Sequence, residues 1–235
     1  MTHKVSQISI QTRVLIRATD ILLSGSALLL LAPLLALIML ALRLTGEGDV
    51  FFRQRRIGKR GREFELFKFA TMLKDSPSIG AGELTLADDP RVLPLGRFLR
   101  RTKLNELPQL LNILKGDLSI IGPRPQTSRF YNSYRPEDRV YVSMVRPGLS
   151  GVGSVLFRDE EKLLSEVADP IRFDEEVIMP YKGRIERWFV CNQSVSLYFE
   201  LIFSTLLVVL CPRRGYHRRL LIRLPPPPEG LRRFL

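Results

Sequence analysis

The stretch RTKLNELPQLLNILKGDLSIIGPRP, residues 101–125, gathers residue types that suit one kind of chemistry, the handling of phosphate. Asn105 is a good helix N-cap, Glu106 favours the positive first turn, and Pro108 is tolerated where amides lack intrahelical partners. Leu107, Leu110, Leu111 and Leu114 recur at helical spacing and Gly116 stops the run, which predicts a helix packed by that stripe with its N-terminus outward. Free amides at a helix N-terminus attract anions. Arg124 stands between Pro123 and Pro125, a stiff mount for a guanidinium that meets phosphate in one orientation; its bland reading is a turn residue. VRPGLSGVGSVLFRDEE repeats the theme, with Arg146 before Pro147, then glycines 148, 151 and 153 that would let backbone amides approach a ligand. The acidic run Asp159, Glu160 and Glu161 follows, and a lone glycine-rich loop is by itself usually only a turn.

Composition narrows the classes. A net charge of +12 beside 45% hydrophobic residues suggests a polyanionic partner: nucleic acid, an anionic membrane surface or a phosphorylated substrate. The only histidines are His3 and His217, near the termini, so a zinc centre or a serine–histidine–aspartate triad is not expected. Cys191 and Cys211 lack metal or redox spacing and imply packing alone. Nucleic acid is not the expected partner, because the arginines are not interleaved with an aromatic stacking platform and the single Trp188 sits elsewhere. The remaining chemistry belongs to carboxylates, lysines and arginines.

These groups need positioning elements, and the first is apolar. Between Asp20 and Arg43 run 22 uncharged residues, enough to cross a hydrocarbon core and too long for a cleavable signal. Pro33 falls inside the run and favours a kink, while cations flank both ends. A straight spanning helix and a helix bent at Pro33 that returns to the same side are both compatible, and the second keeps both basic flanks cytoplasmic.

DVFFRQRRIGKRGREFELFKFATM reads as strand, glycine-containing basic turn and strand, a hairpin at the membrane interface or a solvated basic loop. SPSIGAGELTLADDPR is a polar loop, and VLPLGRFLRRT a cationic helical or turn segment. Further helices follow. The apolar run Leu201–Cys211 is short for a span and reads as interfacial, with a second spanning helix as the alternative. The tail RRGYHRRLLIRLPPPPEGLRRFL reads as a basic surface segment and a stiff linker. We expect one domain over 1–212, with a membrane helix about 14–44, a catalytic part about 45–190, an interfacial helix about 194–211 and the tail 213–235.

Over about Arg13 to Leu210, FFRQRRIG, FKFATM, DPRVLPLGRFLRRTKLNELPQLLNILKGDLSIIGPRP and VRPGLSG together resemble a bacterial sugar transferase of the monotopic phosphoglycosyl transferase family. The resemblance implies an α+β fold, membrane-embedded and monotopic, with a re-entrant N-terminal helix broken at Pro33, a small β-hairpin and several helices on the cytoplasmic face of the bacterial inner membrane. It implies transfer of a phosphosugar from a UDP-sugar to undecaprenyl phosphate with release of UMP, using Mg2+, as the first membrane step of polysaccharide or glycoconjugate assembly. Membrane lipid is then a partner, and a homodimer through the C-terminal segment is plausible. The resemblance places Lys68 near the active site, where the bland reading is a surface lysine, and gives Glu106 a role at the metal.

The sequence departs from the family at two points. Members usually carry Asp-Glu where this chain has Asn105 and Glu106, and the Asp attacks the β-phosphate. An amide cannot form that acyl phosphate, so three explanations stand: a subgroup in which Glu106 or a carboxylate among Asp159, Glu160 and Glu161 reacts, an inactivated protein, or an inert membrane scaffold that binds donor. Ala70 also stands where an arginine is common.

Overall fold

The computed structural model describes residues 9–80, 82–210 and 220–235. The expectations for His3, Cys211, His217 and the first part of the tail therefore lie outside the described residues.

Helix α1 (Ile10–Thr45) opens with Ser9, whose hydroxyl accepts from the Thr12 amide. It continues through Pro33 without interruption, so the break expected there is absent. One proline removes one hydrogen bond, here to the Leu29 carbonyl, and its φ suits a helix, so the flanking leucines carry the helix past it. Only 11% of the helix's most apolar stretch is covered. Leu22, Leu29, Leu30, Leu37 and Leu40 point outward, and they make a face suited to lipid.

Polar residues fix α1 to the body at its first half. Arg17 donates to the carbonyls of Ile113 (2.7 Å) and Leu114 (2.9 Å). Asp20 is 1% exposed, and its Oδ1 accepts from the Ser119 hydroxyl (3.0 Å), the Ile120 amide (2.8 Å) and the Tyr198 hydroxyl (2.6 Å). Ile38 and Leu42 bury the second half against Phe69 and Leu99.

The expected hairpin is present: β1 (Phe51–Ile57) pairs antiparallel with β2 (Glu63–Phe69), Phe52 opposite Lys68 and Arg56 opposite Phe64. A loop leads to α2 (Pro94–Arg101). Arg91 organises this loop, binding Asp89 through Nε (2.8 Å) and Nη2 (2.6 Å). It also donates to the carbonyls of Ser76 (2.7 Å), Ile79 (2.8 Å), Gly82 (2.6 Å) and Leu84 (2.6 Å).

The expected helix begins later than its sequence signals. Asn105 lies in a 3-10 turn, Leu104–Glu106, that follows Lys103 at φ 60°, and α3 spans Gln109–Lys115. Asn105 caps nothing. The apolar stripe is also rotated: Leu110, Asn112 and Ile113 are buried while Leu111 and Leu114 are exposed. Asn112 earns its place inside by bracing β2, accepting from the Phe67 amide (3.0 Å) and donating to the Glu65 carbonyl (2.7 Å).

Strand β3 (Ser119–Ile121) leads through Gly122 to Arg124. After α4 (Ser128–Asn132) and α5 (Pro136–Val142), β4 (Gly148–Ser150) pairs parallel to β3. The glycines here serve backbone packing rather than ligand approach. A Cβ on Gly148 would stand 2.1 Å from the Gly122 nitrogen, and one on Gly151 2.1 Å from the Gly122 oxygen.

Short helices α6 (Val152–Leu156), α7 (Glu160–Ser165) and α8 (Pro170–Phe173) follow, then a π turn, Asp174–Ile178, that runs into α9 (Met179–Cys191). Helix α10 (Val195–Leu210) lies where a helix is expected, packing on α1 and β3 with Phe203 and Leu210 outward. The described tail is no free linker. Leu220, Leu224 and Leu231 enter the main core, Phe234 meets Phe173, Tyr181 donates to the Pro225 carbonyl (2.9 Å), and α11 (Glu229–Arg232) closes the chain. Leucines spaced around the prolines gain more from burial than a linker gains from solvation.

Candidate active site

A cleft of about 480 Å³ lies between the hairpin, the 74–92 loop, the 104–106 turn and α9. Strand alternation places Phe52, Gln54, Arg56 and Lys68 on the hairpin face that lines it. Arg56 is clamped by Gln54 Oε1 (2.6 Å to Nη2) and the Pro125 carbonyl (3.2 Å). Burial, then Arg124, pull it down to about 10. Burial and the neighbouring Arg56 pull Lys68 down to about 7.

Facing these cations, Glu106 Oε1 accepts from Arg124 Nη2 at 2.8 Å. Burial alone would raise the Glu106 carboxyl, but Arg124 and Lys68 prevail and hold it at about 2. Arg124 is set by its neighbours: the Pro123 carbonyl accepts from the Gly148 amide (2.9 Å) and the Gln126 carbonyl from the Ile57 amide (2.8 Å). The two prolines thus tie the β3–β4 pair to the hairpin and leave the guanidinium to the cleft. Asn105 lines the same floor, 6% exposed, with Oδ1 lacking a hydrogen-bond partner among the described residues. Lys68, Asn105, Glu106 and Arg124 are therefore brought together.

Two expected site residues are elsewhere. Arg146 donates from Nε to the Gly116 carbonyl (2.9 Å), where with Arg17 it satisfies the end of α3. Asp159 precedes α7 and does not line the cleft, whereas Glu160 and Glu161 do, held by Lys182 and by Arg100 respectively. Sequence reasoning passed over Arg56, Asp174, Lys182 and Glu186, all of which line the cleft. Period-2 alternation from Lys68 across the hairpin could have found Arg56, and the spacing of 8 and 4 from Asp174 to Lys182 to Glu186 is helical.

Among the described residues no three acidic, histidine or cysteine side chains gather to hold a metal unaided. The Asn105 oxygen, unpartnered among the described residues, and the Glu106 carboxylate both line the cleft and are hard donors, a chemistry that fits Mg2+ when phosphate oxygens and water complete its shell. On the other side, Val208 and Val209 of α10 and Leu149 also line the cleft, so an apolar chain from the membrane face can lie beside the cationic floor.

Such a site is a cationic cleft with an apolar side, in a protein that also carries a long uncovered apolar helix. The comparisons then fix the family. The model for the bacterial sugar transferase family matches residues 11–212, and the chain belongs to that family. It is 39% identical over 195 residues to the UDP-glucose:undecaprenyl-phosphate glucose-1-phosphate transferase of Escherichia coli (strain K12), covering 82% of this chain and 40% of that protein. It is 38% identical over 198 residues to the UDP-N-acetylgalactosamine-undecaprenyl-phosphate N-acetylgalactosaminephosphotransferase of Aeromonas hydrophila, covering 83% and 43%. Against the exopolysaccharide production protein ExoY of Rhizobium meliloti (strain 1021) the identity is 32% over 214 residues, covering 85% and 87%. The chain thus spans about two fifths of the first two relatives and most of the third. Family and uncovered apolar helix together make it a membrane protein.

Proposed function

We propose that the chain transfers a sugar 1-phosphate from a UDP-sugar to undecaprenyl phosphate and releases UMP, the initiating membrane step of polysaccharide or glycoconjugate assembly. The observation that carries this is the convergence of Lys68, Arg56, Arg124 and Glu106 in a cleft whose far side is formed by α10. Cations there meet a pyrophosphate, and the apolar side receives a polyprenyl chain. The relatives' names are those of transferases and lend no support to an inert scaffold.

The same reading puts the cleft at the cytoplasmic face of the inner membrane, with α1 held along the body and its exposed leucines in the lipid. Both halves of α1 pack on the same body, Asp20 at one end and Leu42 at the other, which supports this topology. Nothing in the reading requires a second copy.

In this reading Glu106 is the reacting carboxylate. It is ionised at every physiological pH, so no base is needed to activate it. One of its oxygens attacks the β-phosphorus, an acyl phosphate forms, and the pyrophosphate P–O bond breaks with the bridging oxygen leaving on UMP. A phosphate oxygen of the acceptor then attacks the same phosphorus and the carboxylate is returned. Arg124 and Lys68 hold the equatorial oxygens, and Arg124 passes its pairing from Glu106 to phosphate as the donor enters. Mg2+, held by Asn105 Oδ1, Glu106 and the donor phosphates, would neutralise pyrophosphate charge.

The test is UMP release by protein in detergent with Mg2+ and a panel of UDP-sugars. One equivalent of UMP without acceptor, continuous turnover with undecaprenyl phosphate, and neither in Glu106→Gln are expected. UMP that forms only when acceptor is present would move the attack from Glu106 to the acceptor phosphate. No UMP with any donor would refute the transferase reading.

A further inference from the structure

The cleft has a second polar wall that the phosphate chemistry leaves unused. It comes from one stripe of the π turn and α9, on which Asp174, Lys182 and Glu186 lie at helical spacing, with Glu160 and Ser154 across from them. Asp174 is 3%, Lys182 6% and Glu186 1% exposed. Charged groups are seldom so buried without a purpose or a partner.

Their partners are incomplete. Glu186 Oε1 accepts from the amides of Arg124 (3.4 Å) and Gly153, whereas among the described residues Oε2 has no hydrogen-bond partner, and neither has the Ser154 hydroxyl. Gly153 is required by this arrangement, since a Cβ there would stand 2.4 Å from Glu186 Oε1. Lys182 pairs with Glu160 and lies 5.1 Å from the Phe157 ring centroid, which fixes its ammonium over an aromatic face. A π turn is an uncommon device inside a helix, and it sets Asp174 into this wall.

The chemistry of the wall names its ligand. Phosphate is excluded by three carboxyl groups and finds its cations on the opposite wall. Uracil would need donors for two carbonyls and one acceptor, and this wall is rich in acceptors. Vicinal hydroxyls, each able to donate and accept, match it. Burial pushes both Asp174 and Glu186 up to about 7, so near neutral pH these carboxyls can also donate. A ligand with its own carboxylate would add a further negative charge here.

We infer that Ser154, Glu160, Asp174, Lys182 and Glu186 form the subsite for the glycosyl group of the donor and select neutral sugars by the position of their hydroxyls. This rests on the transferase reading above. The Arg124 amide bonded to Glu186 links the two walls, which places the sugar beside the phosphorus that is attacked.

The test uses Glu186→Gln and Asp174→Asn with UDP-glucose, UDP-galactose, UDP-N-acetylgalactosamine and UDP-glucuronic acid, and with UDP as competitor. The glutamine oxygen can still accept from Arg124 and Gly153, so the fold is kept. Loss of about 10- to 200-fold in kcat/KM for the best donor is expected, with a changed ratio between the glucose and galactose donors and little change in UDP affinity. Equal losses for all donors and for UDP would overturn the assignment in favour of a nucleotide or purely structural role, and unchanged kinetics would overturn it outright. If the parent protein turns over no donor, the transferase reading fails by itself. Calorimetric binding of UDP-glucose against UDP then still decides the subsite, which requires a tighter UDP-glucose complex that Glu186→Gln weakens.

Discussion

Replacing Asp20 with alanine removes the one oxygen on which three elements meet. Oδ1 receives Ser119, Ile120 and Tyr198 at 3.0, 2.8 and 2.6 Å, so the single acceptor joins α1, β3 and α10. Hydrogen bonds to a charged acceptor contribute about 1.5–3 kcal/mol each, but these share one atom and are lost as a unit. Breaking a buried charged network by deleting one side costs about 3–5 kcal/mol. At about 2–4 °C per kcal/mol for a chain of this size, Asp20→Ala should melt about 10 °C below the parent. Asp20→Asn keeps an oxygen in the same place with a weaker, neutral acceptor, so most of the stability should return. The assay is thermal unfolding in one detergent, followed by tryptophan fluorescence, with all three proteins at equal concentration. A melting point for Asp20→Ala within about 2 °C of the parent would refute the reasoning, as would equal losses in the alanine and asparagine variants. Since β3 runs straight into the Arg124 turn, UMP formation should fall with stability in the same order.

Lys68, pulled down to about 7 by burial, gives a pH signature. As pH rises through that value the ammonium is lost and kcat/KM for donor should fall up to about tenfold per unit, while Lys68→Arg moves the fall to much higher pH. Stability moves the other way: the unfolded lysine keeps its proton until near 10.5, so the fold gains stability as pH rises from about 7 toward that value. Arg91→Lys cannot reproduce a fork that binds Asp89 and four carbonyls, so the 76–84 loop that borders the cleft should be cut faster in limited proteolysis and donor KM should rise about tenfold. Leu231→Ala, at a fully buried position, should cost about 2–5 kcal/mol in a melt, and a shift near zero would return the tail to the role of a linker.

The hairpin was legible because β-prone residues flank a glycine turn and because its alternation is local. The leucine stripe misled because hydrophobicity alone cannot tell core from lipid: Leu111 and Leu114 face outward while Asn112 holds the β2 backbone inside. The same ambiguity hid the tail, whose prolines look like a linker until Leu220, Leu224 and Leu231 are seen in the core. Arg124 and Glu106 were visible through proline mounting and motif. Arg146 carries nearly the same local signature, yet it binds the end of α3, since a proline fixes a backbone without deciding where a side chain points. The acidic stripe of α9 could not be told from a solvated face, because burial of Asp174 and Glu186 depends on contacts far along the chain.

One helix connects the lipid-suited face to both Lys68 and Arg124 of the cleft. Asp20 and Arg17 fix α1 to β3 and α3, and β3 leads to Arg124. Ile38 and Leu42 fix it to Phe69, the chain neighbour of Lys68. Arg124 and Lys68 are thus referenced to two points on the same apolar rod. Its depth in the lipid sets their height above the hydrocarbon, and under the proposed function the acceptor's phosphate must sit near that boundary. A flexible tether would bring the enzyme to the membrane but leave this height to chance. A rigid helix braced at both halves removes that freedom, which explains why a buried carboxylate as costly as Asp20 is placed within reach of an apolar segment rather than a neutral packing residue.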